Sequence, residues 1–157
     1  MVKKMTYTAI GIALYVALSM VLKIPVIGHI GLDLGYIVLA VYCMKFGAVS
    51  GAIVGACGCT LVSLIMSGWF PPGWFVGNLV IGLICGKFYE KKNKIRNIVV
   101  TGIAVLIGIL VIKTVIECYM FSIPFMVKIP KNTIAAVMDM FVMWIGLFVS
   151  DKIVKEN

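Results

Sequence analysis

Six apolar runs, separated by short basic or turn-rich segments, account for most of this 157-residue chain. At about 1.5 Å per helical residue, each is long enough, or nearly so, to cross a hydrocarbon core of about 30 Å. Hydrophobic residues make up 62% and charged residues 13% of the sequence, against roughly 45–50% and 25% in soluble domains. Because a soluble fold of this length cannot hide so much apolar surface, the sequence predicts an all-α polytopic membrane protein. The runs are approximately Thr6–Leu22, Leu32–Phe46, Gly47–Met66, Trp74–Tyr89, Asn97–Met120 and Thr133–Val149.

The basic residues indicate how such a bundle is oriented. If the N-terminus is cytoplasmic, 10 of the 14 lysines and arginines fall in cytoplasmic segments and 3 in outer segments, while Lys113 lies inside a run. By the positive-inside rule this predicts six transmembrane helices with both termini in the cytoplasm, forming one integral membrane domain over residues 1–157. The net charge of +8 is then a consequence of topology rather than a nucleic-acid-binding surface. No small-residue cleavage site follows the first run, so we expect a retained helix rather than a signal peptide.

Two of the runs are short. The second meets the third at Lys45-Phe46-Gly47, which predicts a helical hairpin with a tight turn. The fourth follows Pro71-Pro72-Gly73, a sequence that cannot continue a helix. Short spans predict helices that end inside the protein, around a cavity.

Three ionisable residues, Lys113, Glu117 and Asp139, interrupt the last two runs. A central Lys or Asp costs about 2.5–3.5 kcal/mol on insertion scales, so such residues usually face a bundle interior or a water-filled cavity. Counting from the predicted helix ends puts Lys113 about 10 Å and Asp139 about 12 Å below the outer surface, at nearly the same depth. Two interpretations stay open. Either these residues contact a polar ligand, or they form a closed ion-pair cluster that satisfies only itself.

Other polar and aromatic residues are predicted to lie in the same outer half, whereas the inner half has almost none. A one-sided pocket explains this distribution, while an ion relay would need polar groups through the whole membrane. The aromatic loop around Pro71 and Pro72 is expected to cap the pocket, although interfacial tryptophans also serve as headgroup anchors. A loop histidine is more often simply solvated. The predicted substrate-binding residues are Asn78, Lys113, Glu117, Asp139, Trp69, Trp74, Asp33 and His29.

Small residues recur every four positions on three of the predicted helices. Such stripes allow helices to approach closely, because no side chain intervenes between the backbones. The glycine stripe is predicted to pack within the bundle. The alanine stripe, with Ser19 near the same side, meets either this bundle or another subunit. The glycine stripe comprises Gly47, Gly51, Gly55, Gly82 and Gly86, and the alanine stripe comprises Ala9, Ala13 and Ala17.

The sequence lacks the motifs that carry enzyme chemistry. It has no phosphate-binding Gly-x-x-x-x-Gly-Lys-Ser/Thr loop, so the chain itself is not expected to use ATP. It also has no His-Glu-x-x-His or Gly-x-Ser-x-Gly motif and only one histidine, so we expect neither an enzyme nor a bound cofactor or metal. The five cysteines lie in apolar runs, and an odd number argues against a disulfide framework. Cys57 and Cys59 are two residues apart and point in different directions on a helix.

Two further segments complete a recognisable pattern. They are Gly31-Leu32-Asp33-Leu34-Gly35-Tyr36-Ile37 leading to Lys45-Phe46-Gly47-Ala48-Val49-Ser50-Gly51, and Phe70-Pro71-Pro72-Gly73 followed by Gly77-Asn78 and Gly82. Together with the six short helices and the alanine stripe, they resemble the substrate-binding subunits (S components) of energy-coupling-factor (ECF) vitamin transporters. The resemblance covers most of the chain but does not identify a particular vitamin.

This resemblance implies a complete transport system. The pocket would open to the outside of a bacterial-type plasma membrane and capture a water-soluble vitamin or precursor. The alanine stripe would dock on a transmembrane coupling subunit, and two ATP-binding-cassette ATPases would complete the importer. The main alternative is a small stand-alone secondary transporter or channel, which should show internal repeats that the two halves of this chain lack. A structural or assembly membrane protein is the third interpretation.

Overall fold

The chain is described here by a computed structural model, which covers residues 2–21, 24–27, 30–90 and 93–155. Nearly all of these residues are helical. Between the first two helices lies an antiparallel hairpin of β1 (Ile24–Ile27) and β2 (Ile30–Leu32). The helices are α1 (Val2–Val21), α2 (Gly35–Phe46), α3 (Ala48–Ser67), α4 (Pro72–Phe88), α5 (Lys94–Val105), α6 (Thr114–Phe121) and α7 (Phe125–Lys155).

The composition of the helices is that of a multi-pass membrane protein. Large hydrophobic side chains such as Ile10, Ile65, Val111 and Phe141 lie exposed on the outside of the bundle, where lipid would solvate them. The helices α2 and α4 are apolar but shorter than a full span. Within the described residues, four stretches are long and apolar enough to cross a membrane: Lys3–Val21, Ala48–Ser67, Lys94–Phe121 and Phe125–Lys152.

The start of α2 lies later than the sequence predicted. Residues 30–32 form β2 rather than the first turn of a helix, and α2 begins at Gly35. The Asp33 carboxylate accepts a hydrogen bond from the Gly35 backbone N–H at 2.9 Å. A side chain that satisfies a free N–H group in this way favours a helix start at that point.

The last helix begins at Phe125, not at Thr133 as predicted, and it continues through Pro130. Proline removes one backbone hydrogen bond from a helix, so an early stop was the simpler expectation. Side-chain bonds to α6 hold the added turns in place. Lys128 donates to Glu117 at 2.9 Å, and the Asn132 amide donates to the Thr114 hydroxyl at 2.9 Å.

The fifth apolar run is not a uniform α-helix. Between α5 and α6 the chain forms a π-helical segment, Leu106–Lys113, without interrupting the run. Its backbone lies directly against α4, because a Cβ atom added at Gly77 would be 2.7 Å from the carbonyl oxygen of Gly108. The segment ends at Lys113, which is only 4% exposed. Nothing in the hydrophobic pattern predicted this widened turn, and such turns are frequent at functional sites.

The helices α3 and α4 pack through their backbones. A Cβ atom at Gly82 would lie 2.5 Å from Ala52 backbone atoms, and one at Gly55 would lie 3.2 Å from the Asn78 carbonyl oxygen. These contacts confirm that the glycine stripe packs within the bundle. Gly47 differs from the other members, since it has φ +85° and forms the turn between α2 and α3.

The bundle has two distinct ends because successive helices alternate in direction. At one end, Tyr7 stacks on Phe46 with ring centroids 5.4 Å apart, and Lys94 pairs with Asp151 at 3.1 Å. We call this the basic end, and the opposite one, which carries the β1–β2 hairpin, the hairpin end. The basic end contains the start of α1, the Gly47 turn, the end of α4, the start of α5 and the end of α7.

The half of the bundle near the basic end is not as apolar as predicted. Its buried polar residues are Ser50, Asn97, Thr101 and Ser150. Asn97 illustrates why the bundle tolerates them. Its amide donates to the Glu90 carbonyl oxygen at 2.8 Å and accepts from the Glu90 N–H at 3.0 Å. These bonds satisfy the backbone where α4 has ended, so the polar group stabilises a turn.

Candidate ligand-binding site

Asp33 joins α1 to the start of α2. One carboxylate oxygen accepts from the Ser19 hydroxyl at 2.5 Å and from the Gly35 N–H, and the other accepts from the Tyr15 hydroxyl at 3.3 Å. Three donors therefore already surround this predicted ligand-binding residue. Ser19 is 2% exposed and lies on the buried face of α1, opposite the alanine stripe, so its predicted position near that stripe was wrong.

The alanine stripe lies on the outside of the bundle. Ala9, Ala13 and Ala17 are all exposed. The buried face of α1 is offset from them by two residues, which is about 200° around a helix. On that face, a Cβ atom at Gly11 would lie 2.6 Å from the Tyr42 ring. The stripe therefore has no partner helix within the described part of the chain.

A second polar group, which we call the Lys113 network, connects α6, α7 and the π-helical segment. The Lys113 ammonium donates to the Asn132 side-chain oxygen at 2.5 Å and lies 3.5 Å from the Glu117 carboxylate. The other Glu117 oxygen accepts from Lys128 at 2.9 Å. The ammonium also lies 4.1 Å from the centroid of the Trp74 ring, a cation–π geometry. Each charge in this network has a partner, although Asp139, which the self-satisfying interpretation included in the cluster, is not part of the network.

Lys113 and Asp139 do not lie at the same depth. Lys113 is level with Asn132, to which it donates a hydrogen bond. Asp139 follows Asn132 by seven residues of α7 and so lies about 10 Å deeper in the bundle. The predicted coincidence of depth was wrong because α7 starts at Phe125 and extends further outward than expected.

The centre of the site is a third group, formed by Tyr36, Asn78, Asp139 and Cys59, which we call the central polar set. Asn78 is fully buried and Tyr36 is 1% exposed. Neither atom of the Asn78 amide head group nor the Tyr36 hydroxyl has a hydrogen-bond partner among the described residues. The Tyr36 hydroxyl lies near the Asn78 amide and the Asp139 carboxyl, but no hydrogen bond of normal geometry joins it to either.

Leaving such groups unpaired is expensive. A buried donor or acceptor without a partner costs roughly 1–3 kcal/mol. A cluster of them in an otherwise well-packed bundle indicates a place where another molecule supplies the missing partners. Sequence reasoning found Asn78 and Asp139 but missed Tyr36. The sequence signal that could have identified Tyr36 was its position, since it places a hydroxyl group in the first turn of α2, just after Asp33.

The two tryptophans that were predicted to act together are separated. Trp74 packs against the core, with its ring facing the Lys113 ammonium. Trp69 is 57% exposed, and its ring contacts Phe121 with centroids 6.2 Å apart. Its surroundings are those of an interfacial anchor rather than of a pocket wall. His29 lies outside the described residues.

The fold defines the structural class of the chain. The chain superposes on the crystal structure, at 2.1 Å, of the S-component for biotin from an ECF-type ABC transporter with a TM-score of 0.75. The alignment covers 99% of this chain and 93% of that one, and the sequence identity is 16%. At this identity the likeness establishes the fold alone.

The sequence identifies the family within this class. Residues 1–154 match the family described as ECF-type riboflavin transporter, S component. The chain therefore belongs to this family, whose members are vitamin-uptake subunits of transporters rather than enzymes. The resemblance predicted from its motifs is confirmed.

Shorter alignments connect the chain with curated bacterial proteins. A UPF0397 protein of Streptococcus thermophilus (strain ATCC BAA-491 / LMD-9) is 29% identical over 92 residues, which is 59% of this chain and 51% of that protein. A UPF0397 protein of Lactobacillus helveticus (strain DPC 4571) is 35% identical over 97 residues, or 61% and 52% of the two chains. The matches thus span about half the length of these relatives.

Proposed function

We propose that this chain is the substrate-capture subunit of an ECF-type ABC importer in a bacterial cell membrane and that its substrate is riboflavin. The family to which it belongs carries riboflavin in its description, and a chain with the same fold is an S-component for biotin. The observation that carries the proposal is the buried, unpaired Asn78 amide with the Tyr36 hydroxyl beside it.

The chemistry of these groups suits a flavin ring. A primary amide offers one donor and one acceptor side by side. The pyrimidine edge of the flavin ring carries an imide N–H between two carbonyl oxygens, so it can exchange two hydrogen bonds with Asn78. The Tyr36 hydroxyl supplies a further donor or acceptor. Each bond formed on binding would remove an unsatisfied-group penalty of roughly 1–3 kcal/mol, which favours the bound state.

The surrounding residues complete the proposed pocket. Trp74 offers a ring face for stacking, and Asp139 accepts hydrogen bonds at the deep side of the pocket. We assign Lys113 and Glu117 an indirect role. Because Glu117 is already paired with both Lys113 and Lys128, these residues hold α6, α7 and Trp74 in position rather than bind the substrate.

The same proposal orients the chain and names its partners. The six apolar helical stretches would span the membrane, with the basic end cytoplasmic and the hairpin end facing outward, as the distribution of lysines and arginines favours. Riboflavin would then enter from the outside. The exposed stripe of Ala9, Ala13 and Ala17 would dock on a transmembrane coupling subunit, and two ABC ATPases would supply the energy.

Fluorescence titration of the purified full-length chain in detergent tests the substrate. Riboflavin should bind saturably at one site per chain, with quenching of both flavin and tryptophan fluorescence. Biotin and thiamine serve as comparison ligands under the same conditions. Saturable binding of one of these vitamins without binding of riboflavin would overturn the substrate assignment while leaving the capture role intact. ATP-independent, proton-coupled flux into liposomes that contain only this chain would instead identify a stand-alone carrier.

A further inference from the structure

We propose that Cys59 is a specificity-determining residue, which lines the binding cavity beside Asn78 and limits the space around the hydrogen-bonding edge of the ligand. This inference rests on the proposed function, since it assumes that the central polar set binds the substrate. It adds a residue from α3 to a site otherwise built from α2, α4 and α7.

The location of Cys59 carries the first step. Its side chain is 8% exposed, and it lies one turn after Gly55, where an added Cβ atom would be 3.2 Å from the Asn78 carbonyl oxygen. The Asn78 amide, Asp33, Asp139 and the Tyr36 hydroxyl all lie close to it. These groups come from α2, α4, α7 and the segment before α2, so the thiol lies where these elements converge.

The neighbouring residue explains why the thiol points inward. A Cβ atom at Gly58 would lie 2.6 Å from the Tyr15 ring, so glycine at this position lets α3 approach α1 closely. Gly58 packs against α1, and Gly55 packs against the backbone of Asn78. The face of α3 that includes Cys59 is therefore directed at the central polar set. Cys57, two residues away, is half-buried on a different face.

The unpaired amide next to the thiol supplies the reason for a ligand. A thiol is only a weak donor and acceptor, so it fills space beside Asn78 without satisfying the amide. Asn78 and Tyr36 are both more than nine-tenths buried and remain unpaired. A small residue at position 59 therefore leaves these groups available to a ligand edge and determines how large a substituent that edge can carry.

The experiment compares riboflavin with 3-methylriboflavin, which carries a methyl group on the imide nitrogen. Wild-type protein should bind the methylated flavin at least about 30-fold more weakly, since it loses a buried hydrogen bond and adds a methyl group in a confined space. Cys59→Ala should reduce this selectivity ratio about tenfold, because it creates space beside the methyl group. Cys59→Val should increase the ratio.

Matched variants at the other cysteine separate specificity from general packing. Cys57→Ala and Cys57→Val should leave the selectivity ratio unchanged within about twofold. A purely structural role of Cys59 would weaken both flavins equally and would not move the ratio. An unchanged ratio in Cys59→Ala and Cys59→Val, with both variants folded and still binding riboflavin, would overturn the inference.

Failure of the inference about Cys59 can be distinguished from failure of the proposed function. If wild-type protein binds biotin but not riboflavin, the substrate assignment fails, and biotin affinity is then measured in Cys59→Leu and Cys57→Leu. A loss of about 30-fold or more confined to Cys59→Leu would support the placement of Cys59 at the site, and equal affinities would overturn it. If neither vitamin binds, both proposals are overturned.

Discussion

The Lys113 ammonium lies 4.1 Å from the centroid of the Trp74 ring while it donates a hydrogen bond to Asn132. One cation therefore connects the first turn of α4 with α7, at the point where the π-helical segment ends. This contact distinguishes Trp74 from Trp69, although the two flank the same proline-rich loop in the sequence. Trp74 is fixed within the bundle, and Trp69 lies at its surface.

This difference predicts which tryptophan reports on binding. Trp74→Leu should remove most of the ligand-induced tryptophan quenching and lower riboflavin affinity about 3- to 10-fold, because stacking of aromatic rings contributes about 0.5–1.5 kcal/mol beyond burial. Trp69→Leu should retain both. The third tryptophan, Trp144, donates to the Ile98 carbonyl oxygen at 3.1 Å and serves as an internal reference. Loss of quenching in Trp69→Leu alone would contradict the assignment.

Asn78→Leu should weaken binding without destabilising the unliganded protein. The substitution removes two buried unpaired polar atoms, so we expect the melting temperature in detergent to stay the same or rise. Riboflavin affinity should fall by about 30-fold or more, since the ligand edge then loses its partners. Tyr36→Phe is the milder companion variant and should show the same signs with smaller changes. A melting temperature that falls together with riboflavin affinity would indicate a structural role for the amide.

The arrangement of the helices was largely predictable from the sequence, because it follows from apolar length and from turn residues. The turn at Gly47 and the glycine contacts between α3 and α4 are local properties of this kind. The continuation of α7 through Pro130 was not predictable, since side-chain bonds to α6 hold its added turns, and nothing in the hydrophobic pattern indicates the π-helical segment. Propensity rules describe neighbours in sequence and cannot register such bonds.

The candidate site likewise contains residues that the sequence predicts and residues that only the structure identifies. Charged residues in apolar runs are conspicuous, so Lys113, Glu117 and Asp139 were found at once. Tyr36 and Cys59 are ordinary residues of a buried helix by composition, and only the surrounding structure reveals that one is unpaired and that both adjoin Asn78. Sequence alone also could not establish that Lys113 and Glu117 already have partners, because Lys128 and Asn132 lie on another helix.

The Lys113 network predicts unequal effects of removing its charges. Glu117→Ala would leave Lys113 and Lys128 facing each other without a counter-ion, so we expect a loss of about 3–5 kcal/mol in the free energy of unfolding. Lys128→Ala leaves the pair of Lys113 and Glu117 intact at the more exposed end of the network, and its cost should be about 1 kcal/mol or less. Thermal unfolding in detergent measures both. Similar melting temperatures for the two variants would contradict this view of the network.

Asp33 should act as an anchor for the hairpin end rather than as a ligand contact. Asp33→Asn keeps the shape of the side chain and one oxygen for the Ser19 and Gly35 donors, but it removes the negative charge that strengthens these bonds and turns an N–H group toward the Tyr15 hydroxyl. We expect a loss of about 1–3 kcal/mol in stability. Tyr15→Phe breaks only the longer 3.3 Å bond and should cost less. Riboflavin affinity, measured well below the melting temperature of each variant, should change by less than tenfold in either variant. A larger selective loss of affinity in Asp33→Asn would return this residue to the binding site.

The alanine stripe provides the sharpest test of the proposed partners. Ala13 is exposed on α1, so a larger side chain at this position is not forced into the core of the described bundle. In an assembled importer it would hold two helices apart and forfeit many dispersion contacts at once. Ala13→Trp should therefore abolish co-purification with the coupling subunit and riboflavin uptake by cells, while the isolated chain keeps its melting temperature and its riboflavin affinity.

Two control variants represent the alternatives to a docking surface. Val111→Trp alters another exposed apolar position, on the π-helical segment, and should leave both uptake and assembly intact. Gly11→Trp alters the opposite face of α1, where a Cβ atom would already lie 2.6 Å from the Tyr42 ring and 2.8 Å from Val54, and should prevent folding. If the stripe packs against its own bundle, Ala13→Trp should fail to fold, like Gly11→Trp. If the stripe faces only lipid, Ala13→Trp should keep uptake and assembly, like Val111→Trp. Loss of assembly and uptake with stability and ligand binding preserved is the pattern that a docking surface alone produces.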